Sequence, residues 1–228
     1  MEAVILAAGI GKRMKPLSYT IPKPLLRLGD RSIIEHIIDW LLANDIKTIK
    51  IILSDFGRLI ELYLKDKYSN VEFIYSKPLG TAGQLGVLKK RIKDTFVICY
   101  SDVLSNFDLK DMVIYHKNKK SDLTIATTEM SLPIKYGVIT NDKEGRLTEW
   151  AEKPSLMIRI NLGIYVAEPV IFDYLKSDIM QMNELAKLLI ASKRNVFVYH
   201  IKGEYYDLGN MEEYEKVNKI FEERLGNI

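Results

Sequence analysis

The stretch Ala3-Val4-Ile5-Leu6-Ala7-Ala8-Gly9-Ile10-Gly11-Lys12-Arg13 decides the fold. Its first six residues are a continuous apolar run rich in strand formers and closed by a glycine, the pattern of a strand covered on both faces. From Gly9 to Arg31 no helical or strand period appears, and Pro16, Pro22 and Pro24 exclude a helix. Irregular connections of this length are uncommon in compact domains and usually functional. Ser32 then opens a helix: Glu35 stands three residues on, as a capping box requires, and Ile33, Ile34, Ile37, Ile38, Leu41 and Leu42 form one apolar stripe.

Outward from that unit the alternation repeats. Strands are predicted at Thr48 to Leu53, Val71 to Tyr75 and Thr95 to Tyr100, with helices at Phe56 to Lys67 and Thr81 to Lys90 between them. Repeated β-α units imply a largely parallel sheet with helices on both faces. After a helix near Leu109 to Lys117 the pattern turns strand-rich, at Leu123 to Thr128, Tyr136 to Thr140, Leu147 to Trp150 and Ile158 to Val166, which reads as a lid or antiparallel extension. Helices near Pro169 to Leu175 and Met182 to Ala191, a strand at Val196 to His200 and a helix from Met211 follow. In the last helix Asn210 and Glu213 repeat the capping logic, and Met211, Tyr214, Val217, Phe221 and Leu225 supply the buried face. No repeat, linker or composition shift marks a second domain, so residues 1–228 are read as one.

With 47% hydrophobic and 28% charged residues the 228-residue chain has an ordinary globular mix, which excludes disorder and collagen-like repeats. The lone Cys99 can form neither an internal disulfide nor a cysteine-based zinc cage. No apolar run approaches a membrane span and the first residues lack the basic front of a signal peptide, so a cytoplasmic location without membrane partner is expected. A net charge of +3 gives no reason to expect nucleic acid. The basic excess is local: residues 1–31 hold six Lys and Arg against Glu2 and Asp30.

A glycine-bearing basic loop after a strand suggests phosphate. A dinucleotide fingerprint needs a third glycine where Met14 stands, and a P-loop needs four residues between its glycines with Ser or Thr after the lysine. Neither fits. What remains is a backbone that lets a polyphosphate approach, with Arg13 and Lys23 as its cations, set against a merely solvated basic loop.

The string Leu6 to Met14 with Pro16-Leu17 and Pro22-Lys23-Pro24-Leu25 resembles the signature of the sugar-1-phosphate nucleotidyltransferases, the NDP-sugar pyrophosphorylases. Further matches follow in the family's order: Leu79-Gly80-Thr81-Ala82-Gly83, Asp102, Tyr136-Gly137-Val138-Ile139, Glu152-Lys153-Pro154, Asn161-Leu162-Gly163-Ile164-Tyr165 and Tyr206-Asp207-Leu208-Gly209. The resemblance covers nearly the whole chain. It implies a Rossmann-like three-layer α/β/α fold with a mostly parallel mixed central sheet, a strand-rich sugar-binding extension and no C-terminal left-handed β-helix. Its motifs are most similar to mannose-1-phosphate guanylyltransferases, with glucose-1-phosphate thymidylyl- or uridylyltransferases as alternatives. A sugar-nucleotide sensor without chemistry is the rival from another class.

The reaction so implied joins a nucleoside triphosphate to a sugar 1-phosphate, and its obstacle is repulsion between two anions. By resemblance Asp102 and Asp207 hold Mg2+, and Arg13, Lys23 and Lys153 complete the catalytic set. Ala8, Gly9, Gly11, Arg13, Lys23, Gly80, Thr81 and Gly83 fall on the nucleotide side; Gly137, Glu152, Lys153 and Asn161 on the sugar-phosphate side. From the residues themselves, Asp102 ends the apolar strand Phe96 to Tyr100, which puts its carboxylate at the edge where open α/β sheets bind ligands. Asp207 lies in a short apolar stretch and needs a metal or basic partner there. Cys99 is expected as a small core residue and the dispersed His36, His116 and His200 as structural or surface residues. A homo-oligomer is compatible with this reading. Ser101 before the metal aspartate and Leu162 after Asn161 depart from the usual glycine and alanine.

Overall fold

A computed structural model of the chain describes residues 1–9, 14 and 17–226. Gly11 and Arg13 lie outside the described residues. The first strand is β1 (Glu2–Ala7), followed by a short ribbon of β2 (Arg27–Leu28) and β3 (Arg31–Ser32), then α1 (Ile33–Ala43), β4 (Thr48–Leu53), α2 (Arg58–Leu64), β5 (Val71–Tyr75) and a single turn, α3 (Gly80–Gly83). Next come β6 (Phe96–Tyr100), β7 (Val103–Ser105), α4 (Leu109–Asn118), β8 (Leu123–Pro133), β9 (Val138–Asn141), β10 (Leu147–Ala151) and β11 (Ser155–Ala167). The chain ends with α5 (Met182–Ala191), β12 (Val196–His200), β13 (Tyr205–Asp207) and α6 (Met211–Gly226).

Seven strands form the central sheet in the order β12-β8-β11-β6-β1-β4-β5. Every neighbouring pair is parallel except where β11 runs against β6 and β8. This is the mostly parallel mixed sheet the sequence predicts. The continuous apolar run of β1 is explained by its alternation: Ala3, Ile5 and Ala7 join the core under α1, α4 and α6, while Val4, Leu6 and Ala8 join the core under α5. Two faces are thus covered by helices, so polar positions have no place in the strand.

Two predicted helices are largely or wholly 3-10. The segment expected at Thr81 to Lys90 is the turn α3 followed by a 3-10 segment, Gln84–Leu88, where Gly83 and Gly86 weaken helix formation. The segment expected at Pro169 to Leu175 is a 3-10 stretch, Pro169–Tyr174. The strands β8 and β11 run further than predicted, because each pairs with the other beyond the core, from Thr127 opposite Asn161 out to Pro133 opposite Ser155. This paired extension and the β9–β10 ribbon form an arm. No helix among the described residues is long and apolar enough to cross a membrane.

The Ser32 capping box carries more than a cap. Burial disfavours the charge of Glu35, yet its carboxylate accepts hydrogen bonds from the Ser32 hydroxyl and N–H, from Lys67 and from Tyr63, and these hold its pKa down at about 2. A carboxylate with a depressed folded pKa stabilises above its unfolded value of about 4.5 and loses that contribution as pH falls toward 2. Wild type should exceed Glu35→Gln by about 3 kcal/mol at pH 6. Urea unfolding should show the gap narrowing between pH 4.5 and 2, and a constant gap would remove Glu35 from this role.

Buried His116 belongs to the core, its ring nitrogens 2.8 Å from the Thr124 hydroxyl and 3.1 Å from a Glu168 oxygen. Cys99 is also buried, and burial pushes its thiol far up, away from the reactive thiolate.

Candidate active site

The parallel strands all point one way, and their C-terminal ends present Ala8 and Gly9 after β1, Ser54 after β4, Gly80 after β5 and Asp102 after β6. Asp102 emerges from a strand whose residues Phe96 to Cys99 are wholly buried, so its position is fixed from below. A turn later the chain enters β7, which pairs antiparallel with β13 and sets Asp207 opposite Val103. The Leu208 N–H donates to the Asp102 carbonyl at 3.0 Å. Two acids more than a hundred residues apart in sequence thereby become ladder neighbours. Buried Val103, Leu104 and Leu208 anchor the pairing to the core. The electrostatics agree. Burial raises the pKa of the Tyr205 hydroxyl, and the negative charges of both Asp207 and Asp102 raise it further, so one phenol lies within range of both carboxylates.

Lys23 joins them. Pro22 and Pro24 flank it in a 3-10 turn, Lys23–Leu25, which brings the side chain in at 8% exposure with Nζ 2.5 Å from Asp102 Oδ2. The cation and the carboxylate chosen from sequence are therefore in contact. One Asp207 oxygen accepts from the Gly209 N–H at 2.7 Å, which orients the other carboxylate; Asp207 is exposed, so the short apolar stretch does not bury it and burial imposes no need for a metal or basic partner.

The Leu79 to Gly83 segment is locked to a segment the sequence did not single out. Gly80 has φ +77°, and a Cβ there would lie 2.5 Å from the Met180 carbonyl oxygen. That oxygen accepts from the Ala82 and Gly83 N–H groups at 2.9 and 3.0 Å. The Gln181 side chain accepts from the N–H and the hydroxyl of Thr81, whose oxygen in turn accepts from the Met182 N–H. The close approach that these glycines allow is to residues 178–182. On Gly9, by contrast, no described atom lies within 4 Å of where a Cβ would stand. Beside this segment a groove of about 440 Å³ runs over the ends of β4 and β5, between Phe56 and Tyr75 and past Lys77.

The sugar-side residues form two groups. At the root of the arm the Asn161 amide donates to the Tyr165 hydroxyl at 2.8 Å and its oxygen accepts from the Gly163 N–H at 3.1 Å. The Tyr165 hydroxyl donates to that of Tyr100 at 3.1 Å, linking Asn161 to the strand that delivers Asp102. Two extra residues of β11, Leu162 and Gly163, bulge here, and Gly163 lies against the Tyr100 ring so closely that a Cβ would come within 2.6 Å of it. At the outer end, Gly137 lies under Glu152 and Trp150, 3.0 Å from each measured from a hypothetical Cβ. Lys153 follows in the turn between β10 and β11 with φ +46°, and Pro154 accepts from the Ile134 N–H at 2.9 Å. Tyr100, Tyr165 and Trp150 were missed because aromatic residues at strand positions read as packing.

The acids fit a hard divalent cation. Among the described residues no group of three or more His, Cys, Asp and Glu could hold a metal, but magnesium characteristically takes one or two carboxylates and fills its remaining positions with phosphate oxygens and water. Asp102 and Asp207, neighbours through the β7–β13 ladder, are the two carboxylates that would serve such an ion.

Comparison with known proteins agrees with this geometry. The family profile described as "Nucleotidyl transferase" matches residues 2–224. Mannose-1-phosphate guanylyltransferase 1 of Arabidopsis thaliana is 29% identical over 226 residues, which cover 94% of this chain and 63% of the relative. The chain thus spans less than two thirds of the length of such relatives. HddC from Yersinia pseudotuberculosis, solved as a complex with GMP-PN, superposes with a TM-score of 0.76 at 25% identity over 96% of this chain and 99% of that one. A UDP-glucose pyrophosphorylase solved with UDP-glucose shares the fold, with a TM-score of 0.75 at 22% identity over 98% of both chains.

Proposed function

Since the chain belongs to the nucleotidyl transferase family, we propose that it joins a nucleoside triphosphate to a sugar 1-phosphate, giving an NDP-sugar and pyrophosphate, with GTP and mannose 1-phosphate as the preferred pair. The observation that supports the reading is the contact of Lys23 with Asp102 at the C-terminal edge of the sheet, beside the β7–β13 ladder that carries Asp207. The guanylyltransferase relatives and the guanine nucleotide in the HddC complex support the choice of base.

In this reaction an oxygen of the sugar phosphate forms a bond to the α-phosphorus. The bond from that phosphorus to the β-bridging oxygen breaks, and its electron pair leaves with pyrophosphate. The attacking phosphate is already largely ionised at neutral pH, so no general base is needed. The protein's task is to position two anions and offset their repulsion. Lys23 meets the nucleotide phosphates from a proline-fixed turn, with Arg13 beside it in our assignment. Ala8, Gly9, Gly11, Gly80, Thr81 and Gly83 shape the nucleotide side. Asp102 and Asp207 would hold Mg2+, which supplies positive charge to the phosphate oxygens. On the other side Lys153 pairs with the sugar phosphate, Glu152 accepts from sugar hydroxyls, and Gly137 and Asn161 close the pocket. We assign the activity to the cytoplasm.

Pyrophosphate release measured across a matrix of nucleoside triphosphates and sugar 1-phosphates tests the assignment. GTP with mannose 1-phosphate should be fastest; another pair would change the substrate, and no release with any pair would sink the enzyme reading. Lys153 permits a sharper check, because a lysine at φ +46° is strained. Lys153→Gly should raise KM for the sugar phosphate at least about tenfold, since a charge-assisted hydrogen bond is lost, while leaving thermal stability equal or slightly higher. Unchanged KM would place Lys153 outside the pocket.

A further inference from the structure

The groove over the ends of β4 and β5 holds two charges that the rest of the fold does not use. The Asp55 carboxylate and the Lys77 ammonium both line it, and among the described residues neither has an ion-pair or hydrogen-bond partner. Two aromatic side chains wall it: Phe56 is 73% exposed and Tyr75 44%, and the Tyr75 hydroxyl donates to Glu61, which restrains its ring. Arg58 and Glu61 line the neighbouring depression together with Asp55 and Tyr75, so the charges there offset each other. The place of the groove matters as much as its lining. Ser54, a buried residue of its wall, follows Leu53, which stands opposite Ala7, so Ala8 and Gly9 leave the sheet beside it. Pro78 is two residues before Gly80 and thus within about 7 Å of it. Both segments assigned to the nucleotide therefore border this groove.

We propose that the groove holds the base of the nucleotide and selects guanine, with Asp55 and Lys77 as the specificity-determining residues. This deepens, and rests on, the reaction proposed above. A carboxylate repels phosphate, so a groove that carries one takes the uncharged end of a nucleotide. Two exposed rings give a flat base a stacking surface that serves every base. The choice among bases falls to the charges. Of the common bases only guanine presents two adjacent donors, N1–H and the exocyclic N2 amine, next to the O6 acceptor. The Asp55 carboxylate takes both donors and the Lys77 ammonium donates to O6. Adenine and cytosine turn a ring-nitrogen lone pair toward the carboxylate, and uracil and thymine have one N–H between two carbonyls. Each mismatch leaves a charged group unpaired or repelled.

Calorimetric binding of GDP, IDP, ADP and UDP to the whole chain, each with magnesium, tests the assignment. GDP should bind about tenfold tighter than IDP, whose base lacks the N2 amine, and at least about a hundredfold tighter than ADP or UDP. Asp55→Asn should weaken GDP at least about tenfold and bring GDP and UDP within about tenfold of each other. Phe56→Ala should weaken all four alike, by at least about fivefold. Both residues are exposed, so both variants should fold, which circular dichroism checks. Equal affinity for GDP and UDP in the unmodified chain, or GDP binding that ignores Asp55→Asn, would overturn the proposal. Pyrophosphate release separates it from the reaction itself. Asp55-dependent GDP binding without turnover of any substrate pair would remove the reaction and keep the base site, whereas turnover with GTP at unchanged KM in Asp55→Asn would do the reverse.

Discussion

Asp102→Asn is expected to lower turnover by about a thousandfold or more while the sheet stays folded. Asparagine keeps the shape of aspartate and can still accept the Lys23 hydrogen bond, so what disappears is one unit of negative charge at the end of β6. In the mechanism proposed above that charge has two tasks: it would hold half of the cation site, and it pairs with Lys23. Removing one preorganised electrostatic group from a reaction centre costs about 10²–10³ in kcat, and losing a divalent cation with it adds to that. Stability should fall as well, by about 1–2 kcal/mol, because Lys23 is left nearly buried beside a neutral amide. Circular dichroism and single-turnover kinetics on the same preparation separate the two effects. A variant within tenfold of wild type would remove Asp102 from the reaction centre, and Asp207→Asn should follow the same pattern if the pair acts as a unit.

The second large effect is expected from Gly80→Ala, which adds a single methyl group. Alanine at φ +77° costs about 1 kcal/mol in backbone strain alone. The added carbon would also stand 2.5 Å from the Met180 carbonyl oxygen, which is held by two N–H donors of the same turn and cannot move aside without breaking them. Overpacking of that kind adds about 1–3 kcal/mol, for a total near 3 kcal/mol. Gly145→Ala is the control: its φ is +84° with open space around it, so only the backbone part should appear. Equal destabilisation in the two variants would show that the contact with Met180 is irrelevant. The nucleotide KM of Gly80→Ala should rise too, since Thr81 and Gln181 share the displaced segment.

These two sites differ in how far the sequence revealed them. The place of Asp102 at the end of β6 was legible because the strand before it is an unbroken apolar run, a local signal that survives without knowledge of its neighbours, whereas its assigned role came from the resemblance. The layers, the β-α alternation of a largely parallel sheet and the Ser32 capping box were legible for the same reason, since strand runs and caps are written within a few residues. Asp207 was not legible from periodicity. Its strand has three residues and pairs with another three-residue strand a hundred positions earlier; the resemblance in Tyr206 to Gly209 pointed to it, and the burial argued from its apolar neighbours is not found. The anchoring of Gly80 by residues 178–182 was equally hidden, because nothing in Met180 or Gln181 marks a long-range partner. The helix expected over residues 81–90 failed where glycine content outweighed an apolar pattern. Ion pairing of Lys23 with Asp102 needed the chain to be folded before it could be seen, whereas the proline frame around Lys23 already showed that its side chain would be constrained.

The excursion between β8 and β11 leaves the sheet at Thr127 and returns at Asn161, directly opposite. An insertion bounded by adjacent rungs is closed at its base by the rungs themselves, so its length hardly concerns the rest of the molecule: each doubling of such a loop costs only about 0.6 kcal/mol in closure entropy. Residues 134–154 can therefore be shortened, lengthened or exchanged as a cassette while the strand order beneath stays as it is. Three of the four residues assigned to the sugar side, Gly137, Glu152 and Lys153, lie in that cassette, and those assigned to the nucleotide lie outside it.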